Sequence, residues 1–465
     1  MTSRILTFIT CLALSLSTFA NTPKYIFFFI GDGMGMGHIL SAETYNRTVL
    51  GNKEHLLMMQ FPVTSAAITY SHNSPITDSA AAGTALSTGH KTDNGMLGML
   101  PDSTNVTSIV AQLKKMGYGI AISTSVPPDD ATPAAFYAHQ PHRSMFYNIG
   151  KDMAASGYGF FAGSLLRGLK DKDGKATNLM KTLVDSGYTI VHGAKEMAKA
   201  NNKNKIILLN EDSRASASQI GFTIDSIPGA LTLPEITRYT INHLQRTSPK
   251  AFFAMIEGGN IDYAAHANDG ATVIKEILNF NEAIAEAYNF YLKHPKETLI
   301  IITADHDTGG MSVGVEHGPK KVDMSDIDYQ RVSKETFSNM CHKKLKEGTD
   351  VEWSEMKEYL TKNFGLYNVI PVSEKQDKDL MEEFDKTFKK HESKDKKTLY
   401  SSFNEFVEEL FEILDRNTGF GWTTSSHTGN PVPVFAIGVG AEEFSKMSNN
   451  IEIPMRIRKI AKIKE

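Results

Sequence analysis

The chain reads as an α/β protein: a three-layer sandwich around a largely parallel central sheet, with a charged and mostly helical insertion. Three observations predict this. Near-continuous apolar runs recur along the 465 residues, as strands buried on both faces require. Helical stretches separate them, which is the α/β alternation. One late segment breaks the pattern. Residues 320–420 contain 40 Asp, Glu, Lys or Arg, whereas 22% of the whole chain is charged, so this part is solvated on much of its surface.

The elements follow in order. The first residues read "MTSRILTFITCLALSLSTFANTPK", with Arg4, an apolar stretch over 5–16 and a small-residue exit. This predicts a secretory signal peptide over residues 1–20, cut after Ala20, and a periplasmic or secreted protein. The stretch is short for a membrane span, and no later run is long enough to be one. Once it is removed, Cys341 is the one remaining cysteine, so no intrachain disulfide is expected. A net charge of −4 offers no basic platform for nucleic acid.

The apolar runs "KYIFFFIG" (24–31), "GYGIAISTS" (117–125), "KIILLN" (205–210), "AFFAMIEG" (251–258), "ETLIIITA" (297–304) and "VPVFAIGVG" (432–440) are the predicted strands. Helices are expected over 234–245 and 271–292. The organisation expected is a first catalytic part over 21–319, an inserted lid or cap over 320–420, and a closing catalytic part over 421–465. Within the insertion, "SSFNEFVEELFEILDR" (401–416) suggests a capping box from Ser402 to Glu405. Phe403, Phe406, Val407, Leu410 and Leu414 then share one helical face. The stretch 373–397 reads as a solvated helix with a flexible end.

Acids cluster where these strands end. Asp32 follows the first run, Asp129, Asp130 and Thr132 follow the second, Glu257 closes the fourth, and Asp305, His306 and Asp307 follow the fifth. In a parallel sheet the carboxyl ends form the ligand-binding edge. Carboxylates crowded there repel unless cations sit among them. Mixed carboxylate–histidine sets suit zinc and oxygen sets suit magnesium. Asp262 and His266, four apart, reach one ion together if they lie on a helix. "GDGMGMG" (31–37) lacks both the dinucleotide spacing and the P-loop Lys-Ser/Thr, so its glycines let the backbone turn past Asp32. His427 in "GWTTSSHTGNPVP" carries no signal of its own. In "SPITDSAAAGTALSTGHKTDNG" (74–95), Asp78 and Ser79 open a helix of small residues. Ser79 there is an N-cap, a nucleophile facing an anion at the helix mouth, or both.

The motifs "IGDGMG", "TDSAAAGTALSTGHKT", "DATPAAFYAH", "EGGNIDYAAH", "TADHDTGG" and "SSHTG" occur in this order, and the chain thereby resembles the secreted bacterial alkaline phosphatases from about residue 25 to 440, except across the charged insertion. The resemblance implies phosphate monoester hydrolysis through a phosphoserine on Ser79. It implies two zinc ions and one magnesium ion. Asp262, His266 and His427 correspond to one zinc site, and Asp32, Asp305 and His306 to the second. Asp32, Asp130, Thr132 and Glu257 correspond to the magnesium site, with Asp32 shared. Arg143 stands at the phosphate-clamping arginine, held by Asp78. Tyr263 departs from the Lys, His or Trp that members carry beside the zinc-site aspartate. The insertion is larger than in compact bacterial members, and a homodimer is the family's common state.

Other readings have identifiable signatures. A sulfatase of similar architecture needs a C/S-x-P-x-R stretch, which "DSAAAG" is not. A diesterase has little use for an arginine fork on a terminal phosphate. A noncatalytic metal or phosphate binder needs no Ser79, and a mutase of similar architecture fits poorly with an exported chain.

Overall fold

Apolar runs that bury both faces become neighbours in a ten-stranded sheet. The computed structural model describes residues 22–211, 214, 217–316 and 318–464. The signal-peptide reading of residues 1–20 lies outside them. The strands are β1 (Tyr25–Ile30), β2 (Val63–Ile68), β3 (Gly119–Thr124), β4 (Phe160–Ala162), β5 (Thr189–His192), β6 (Ile206–Leu209), β7 (Phe252–Glu257), β8 (Thr298–Thr303), Val432–Gly438 and Ser448–Asn449. Across the sheet they run Ser448–Asn449, β2, Val432–Gly438, β8, β1, β7, β3, β4, β6, β5. All six apolar runs of the sequence are strands of this sheet. The short or half-exposed β2, β4, β5 and Ser448–Asn449 carry no comparable apolar signal.

Every residue of β1, β7 and β8 is buried. Each Phe or Ile so buried contributes about 1.5–3 kcal/mol, which makes these strands the spine of the core. Pairing register then aligns their ends. Ile30 lies beside both Glu257 and Thr303, and Thr124 lies beside Glu257. The segments that follow β1, β3, β7 and β8 therefore leave from one edge. The exception in direction is Val432–Gly438, antiparallel to both β8 and β2, with Val434 opposite Thr303. Its start lies at that same edge, and this is what returns residue 427 to it.

The two expected helices are Leu233–Thr247 and Gly270–Lys293. The first opens with a capping box between Thr232 and Glu235, and the second with Asp269 accepting from the Thr272 amide.

Helices Lys334–Glu347, Trp353–Phe364, Glu374–Phe384 and Glu405–Thr418 surround a second apolar cluster that includes Phe337, Phe364, Phe384 and Phe406. Two details of this segment differ from the sequence reading. The cap of Glu405–Thr418 is Asn404, whose side chain accepts from the Val407 amide at 3.0 Å, and not Ser402. Residues Ser402–Asn404 pair as a strand with Asp395–Lys397 instead, so Phe403 reaches the cluster from a hairpin. A nearby alternative partner for the backbone outcompeted the local capping pattern. The helix Glu374–Phe384 is also less solvated than its charge suggests, because Leu380, Phe384 and the following Phe388 are buried.

Candidate active site

Ser79 is the first residue of the helix Ser79–Thr88 and is buried. The capping task falls to Asp78, whose Oδ1 accepts from the Ala81 amide at 2.9 Å while Oδ2 accepts from the Gly95 amide at 3.0 Å. The Ser79 hydroxyl is left free of the helix and donates to His306 Nε2 at 3.1 Å. Ser79 thus sits at a helix mouth without serving as the cap.

Asp32, Asp305 and His306 form one group of potential ligand atoms within 4.8 Å of one another, and Asp262, His306 and His427 form another. His266 Nε2 lies 3.2 Å from His427 Nε2 and 3.4 Å from Asp262 Oδ2. Each histidine is oriented through its other nitrogen. His266 Nδ1 is 2.7 Å from the Ser425 carbonyl, and His427 Nδ1 is 2.9 Å from the Thr77 carbonyl. His306 Nδ1 is 3.2 Å from the Thr308 hydroxyl, which donates to Asp262 Oδ1 at 2.5 Å. These contacts place N–H on Nδ1 and leave three Nε2 lone pairs directed at the cluster, as metal-binding histidines require. Gly33 is needed where the chain passes Asp262. Its φ is +68°, and a Cβ there would come within 2.6 Å of Asp262 Oδ1.

The donor set fits cations on a second count. Asp32 Oδ1, Asp262 Oδ2 and both Glu257 oxygens are buried without a hydrogen-bond partner. Buried acceptors are rarely left so. Thr132 Oγ1 lies 3.4 Å from Asp32 and 3.3 Å from Asp305. Burial, then the neighbouring Asp305, Asp262 and Glu257 carboxylates, push Asp32 far above the usual carboxylate range. Burial raises Glu257 to about 8. Burial and Asp262 raise Asp305 to about 7. Burial also pushes Asp262 up, but the His266, His427 and His306 rings more than offset it and hold this carboxyl low. Burial and the adjacent His427 keep His306 neutral, well below its ordinary value. Burial pushes His266 down, but Asp262 pulls it above its ordinary value, so these two pair as ions. Raised Asp32, Glu257 and Asp305 beside depressed His306 and His427 mark the rest of the cluster as short of positive charge.

Arginines form the other wall. Arg143 Nη1 lies 3.3 Å from Asp78 Oδ2 and its Nη2 3.3 Å from Asp130 Oδ1. Arg167 Nη1 lies 3.2 Å from Asp130 Oδ2, and its Nη2 donates to the Tyr263 hydroxyl at 2.8 Å. Tyr263 in turn donates to Asp130 Oδ2 at 3.1 Å. Burial works against the Asp130 charge, and Arg167 and Arg143 overcome it, keeping this carboxyl below its ordinary value.

A family model described as alkaline phosphatase matches residues 23–159 and 165–463. The chain belongs to the alkaline phosphatase family. It is 30% identical to alkaline phosphatase 4 of Bacillus subtilis over 445 residues, covering 94% of this chain and 89% of the relative. Among solved structures, a cold-active alkaline phosphatase from a psychrophilic Shewanella superposes with a TM-score of 0.79 at 25% identity, covering 94% of this chain and 99% of that one. The Thermus thermophilus alkaline phosphatase shares the fold with a TM-score of 0.79 at 22% identity, covering 95% of this chain and 92% of that one.

As an alkaline phosphatase the protein is a hydrolase of phosphate monoesters. Arg143, Arg167, His266, His427 and Asp78 line one cavity of about 880 Å³ that also takes in Thr398, Leu399 and Tyr400. Tyr400 was not legible as a site residue. It stacks on Tyr263 with ring centroids 3.7 Å apart and 18° between planes. Thr308 is similarly silent in sequence, because its role depends on which distant side chain it meets, whereas Arg167 is legible as the second candidate, after Arg143, for the phosphate-clamping arginine. Asp129 and Asp307 end strands as expected but face elsewhere. Asp129 accepts from the Arg167 and Gly168 amides at 3.1 and 2.8 Å, and Asp307 accepts from Thr428 and Asn430. Among the described residues, no helix is long and apolar enough to cross a membrane.

Proposed function

We propose that this alkaline phosphatase works by double displacement through a phosphoserine on Ser79, with two zinc ions and one magnesium ion. Asp262, His266 and His427 would hold one zinc, and Asp32, Asp305 and His306 the second. Asp32, Asp130, Thr132 and Glu257 would hold the magnesium, Asp130 from the same carboxylate that the two arginines contact. When bound, such cations supply Lewis acidity, which lowers the pKa of nearby hydroxyls and neutralises charge on reacting oxygens.

The residues do the rest. Arg143 holds two nonbridging oxygens of a terminal phosphate with its guanidinium fork, and Asp78 and Asp130 fix the plane of that fork. The helix mouth presents backbone N–H groups to the same oxygens. Ser79 Oγ attacks phosphorus in line, losing its proton as the P–Oγ bond forms and the bond to the alcohol oxygen breaks. The alcohol leaves as it takes up a proton. Water then attacks phosphorus from the vacated side, the P–Oγ bond breaks, and phosphate departs. Two inversions give retention at phosphorus. We further read residues 1–20 as an export signal and the segment 320–420 as a cap on this site.

The observation that carries this reading is the Ser79 hydroxyl at its helix mouth, 3.1 Å from His306 Nε2, beside buried carboxylate oxygens with no donor. The experiment is phosphate release by protein loaded with zinc and magnesium, comparing an aryl monoester with the matching diester at mildly alkaline pH. Fast monoester and negligible diester turnover is expected. A diester preference, or no turnover with metals bound, would overturn it.

A further inference from the structure

A hairpin from the charge-rich segment overhangs the cavity beside the histidines. Its strands are Asp395–Lys397 and Ser402–Asn404, with Lys396 opposite Phe403. The base is anchored, since Phe403 is buried in the second apolar cluster and Asn404 caps the next helix. The tip is closed by the Thr398 amide donating to the Ser401 carbonyl at 2.9 Å and the Ser401 amide donating to Thr398 Oγ1 at 3.1 Å. Leu399 and Tyr400 occupy the centre of that turn. Leu399 is 55% exposed, and Ile76, which lines the same cavity, is 42% exposed. Phe146 adds a further apolar wall. Exposed apolar groups gathered around one cleft mark a contact surface.

Tyr400 ties this rim to the chemistry. One ring face lies on Tyr263, and the ring meets His266 edge-on at 5.3 Å and 75°. Tyr263 and His266 belong to the helix Asn260–His266, which also carries Asp262. The in-line attack proposed above sends the alcohol to the side of phosphorus away from Ser79 Oγ, into the cavity that Tyr400 lines together with Arg143, His266 and His427. A cavity of about 880 Å³ far exceeds a phosphate group, and a small polyol gains nothing from an apolar rim.

We propose that the hairpin tip, through Tyr400 and Leu399, is the leaving-group subsite, and that it selects monoesters of alcohols bearing an aromatic ring over monoesters of small polyols. The proposal rests on the phosphomonoesterase reading above. Rings recognise rings through offset and edge contacts, with a strength that discriminates about tenfold.

The test compares 2-phenylethyl phosphate with glycerol 1-phosphate on the metal-loaded enzyme. Both leave as alkyl alcohols, so the ratio of kcat/KM reads recognition. The wild type is expected to prefer the phenylethyl ester about tenfold. Tyr400→Ala removes that preference, mainly through KM, and leaves inhibition by inorganic phosphate unchanged. Tyr400→Phe retains it. Leu399→Ala, at an exposed position, weakens it without disturbing the fold. A wild type without preference overturns the proposal. So does a Tyr400→Ala variant that loses both esters equally or shifts phosphate inhibition, because Tyr400 would then act only by supporting Tyr263. Turnover of neither ester by the wild type would overturn the phosphomonoesterase reading itself.

Discussion

The Ser79 hydroxyl points at His306 Nε2 across 3.1 Å, although 227 positions separate the two residues. The helix gives Ser79 its position and Asp78 does its capping, so the hydroxyl is spare. Ser79→Ala is therefore expected to leave folding and metal content intact while cutting turnover by about 10³-fold or more, as loss of a nucleophile does. Acid quenching with labelled substrate should yield no phosphoprotein. A variant that still labelled at wild-type level would remove Ser79 from the nucleophile role.

Arg143 is held by two carboxylates at once, Asp78 and Asp130. In the proposed role, Arg143→Ala would remove two charge-assisted hydrogen bonds to a terminal phosphate. Phosphate inhibition is expected to weaken by about tenfold to a hundredfold, with metal content unchanged by elemental analysis. Unaltered phosphate affinity would shift the clamp to Arg167, which shares Asp130 with it.

Chelation should make stability fall as pH rises. Glu257 at about 8 and Asp305 at about 7 both stand above the values of an unfolded chain. For a carboxyl whose folded pKa is raised, the folded state binds more protons, so stability is full below the unfolded pKa and is lost as pH climbs through the folded one. Melting of chelated protein is expected to drop from about pH 4.5 to 8. Metal-loaded protein should show no such decline, because bound cations replace the protons. A flat profile for the chelated form would show that these acids do not interact as their spacing implies.

Lys334 joins the charge-rich segment to the chain just beyond His266. Its ammonium donates to the Ala267 carbonyl at 2.9 Å and pairs with Glu408 at 2.8 Å, and it lies over the Phe403 and Phe411 rings. Only 3% of the residue is exposed. Lys334→Met leaves the shape largely filled but strands the Ala267 carbonyl and weakens the hold on Glu408, which keeps Lys396. We expect a loss of about 2–4 kcal/mol in urea unfolding, with His266 less firmly placed and the proposed metal at its site bound less tightly. Wild-type stability would mean that the segment is held by its apolar cluster alone.

Much of this protein is legible in one dimension. Continuous apolar runs mark β1, β3, β6, β7, β8 and Val432–Gly438, since burial on both faces leaves no place for polar residues. The acids at their ends, the Asp262–His266 spacing and the glycines beside Asp32 are equally local. Their order along the chain is enough to indicate the family. The tertiary structure alone decides what depends on distance between remote segments. An antiparallel strand returns His427 to the edge, register sets Glu257 beside Ile30 and Thr124, and Asp130 collects two arginines and a tyrosine. The hairpin that displaces the Ser402 cap also carries Tyr400 onto Tyr263. Local propensity and periodicity are properties of neighbours in sequence, whereas a site is built from contacts that only the packed sheet and the charge-rich segment bring within a few ångströms.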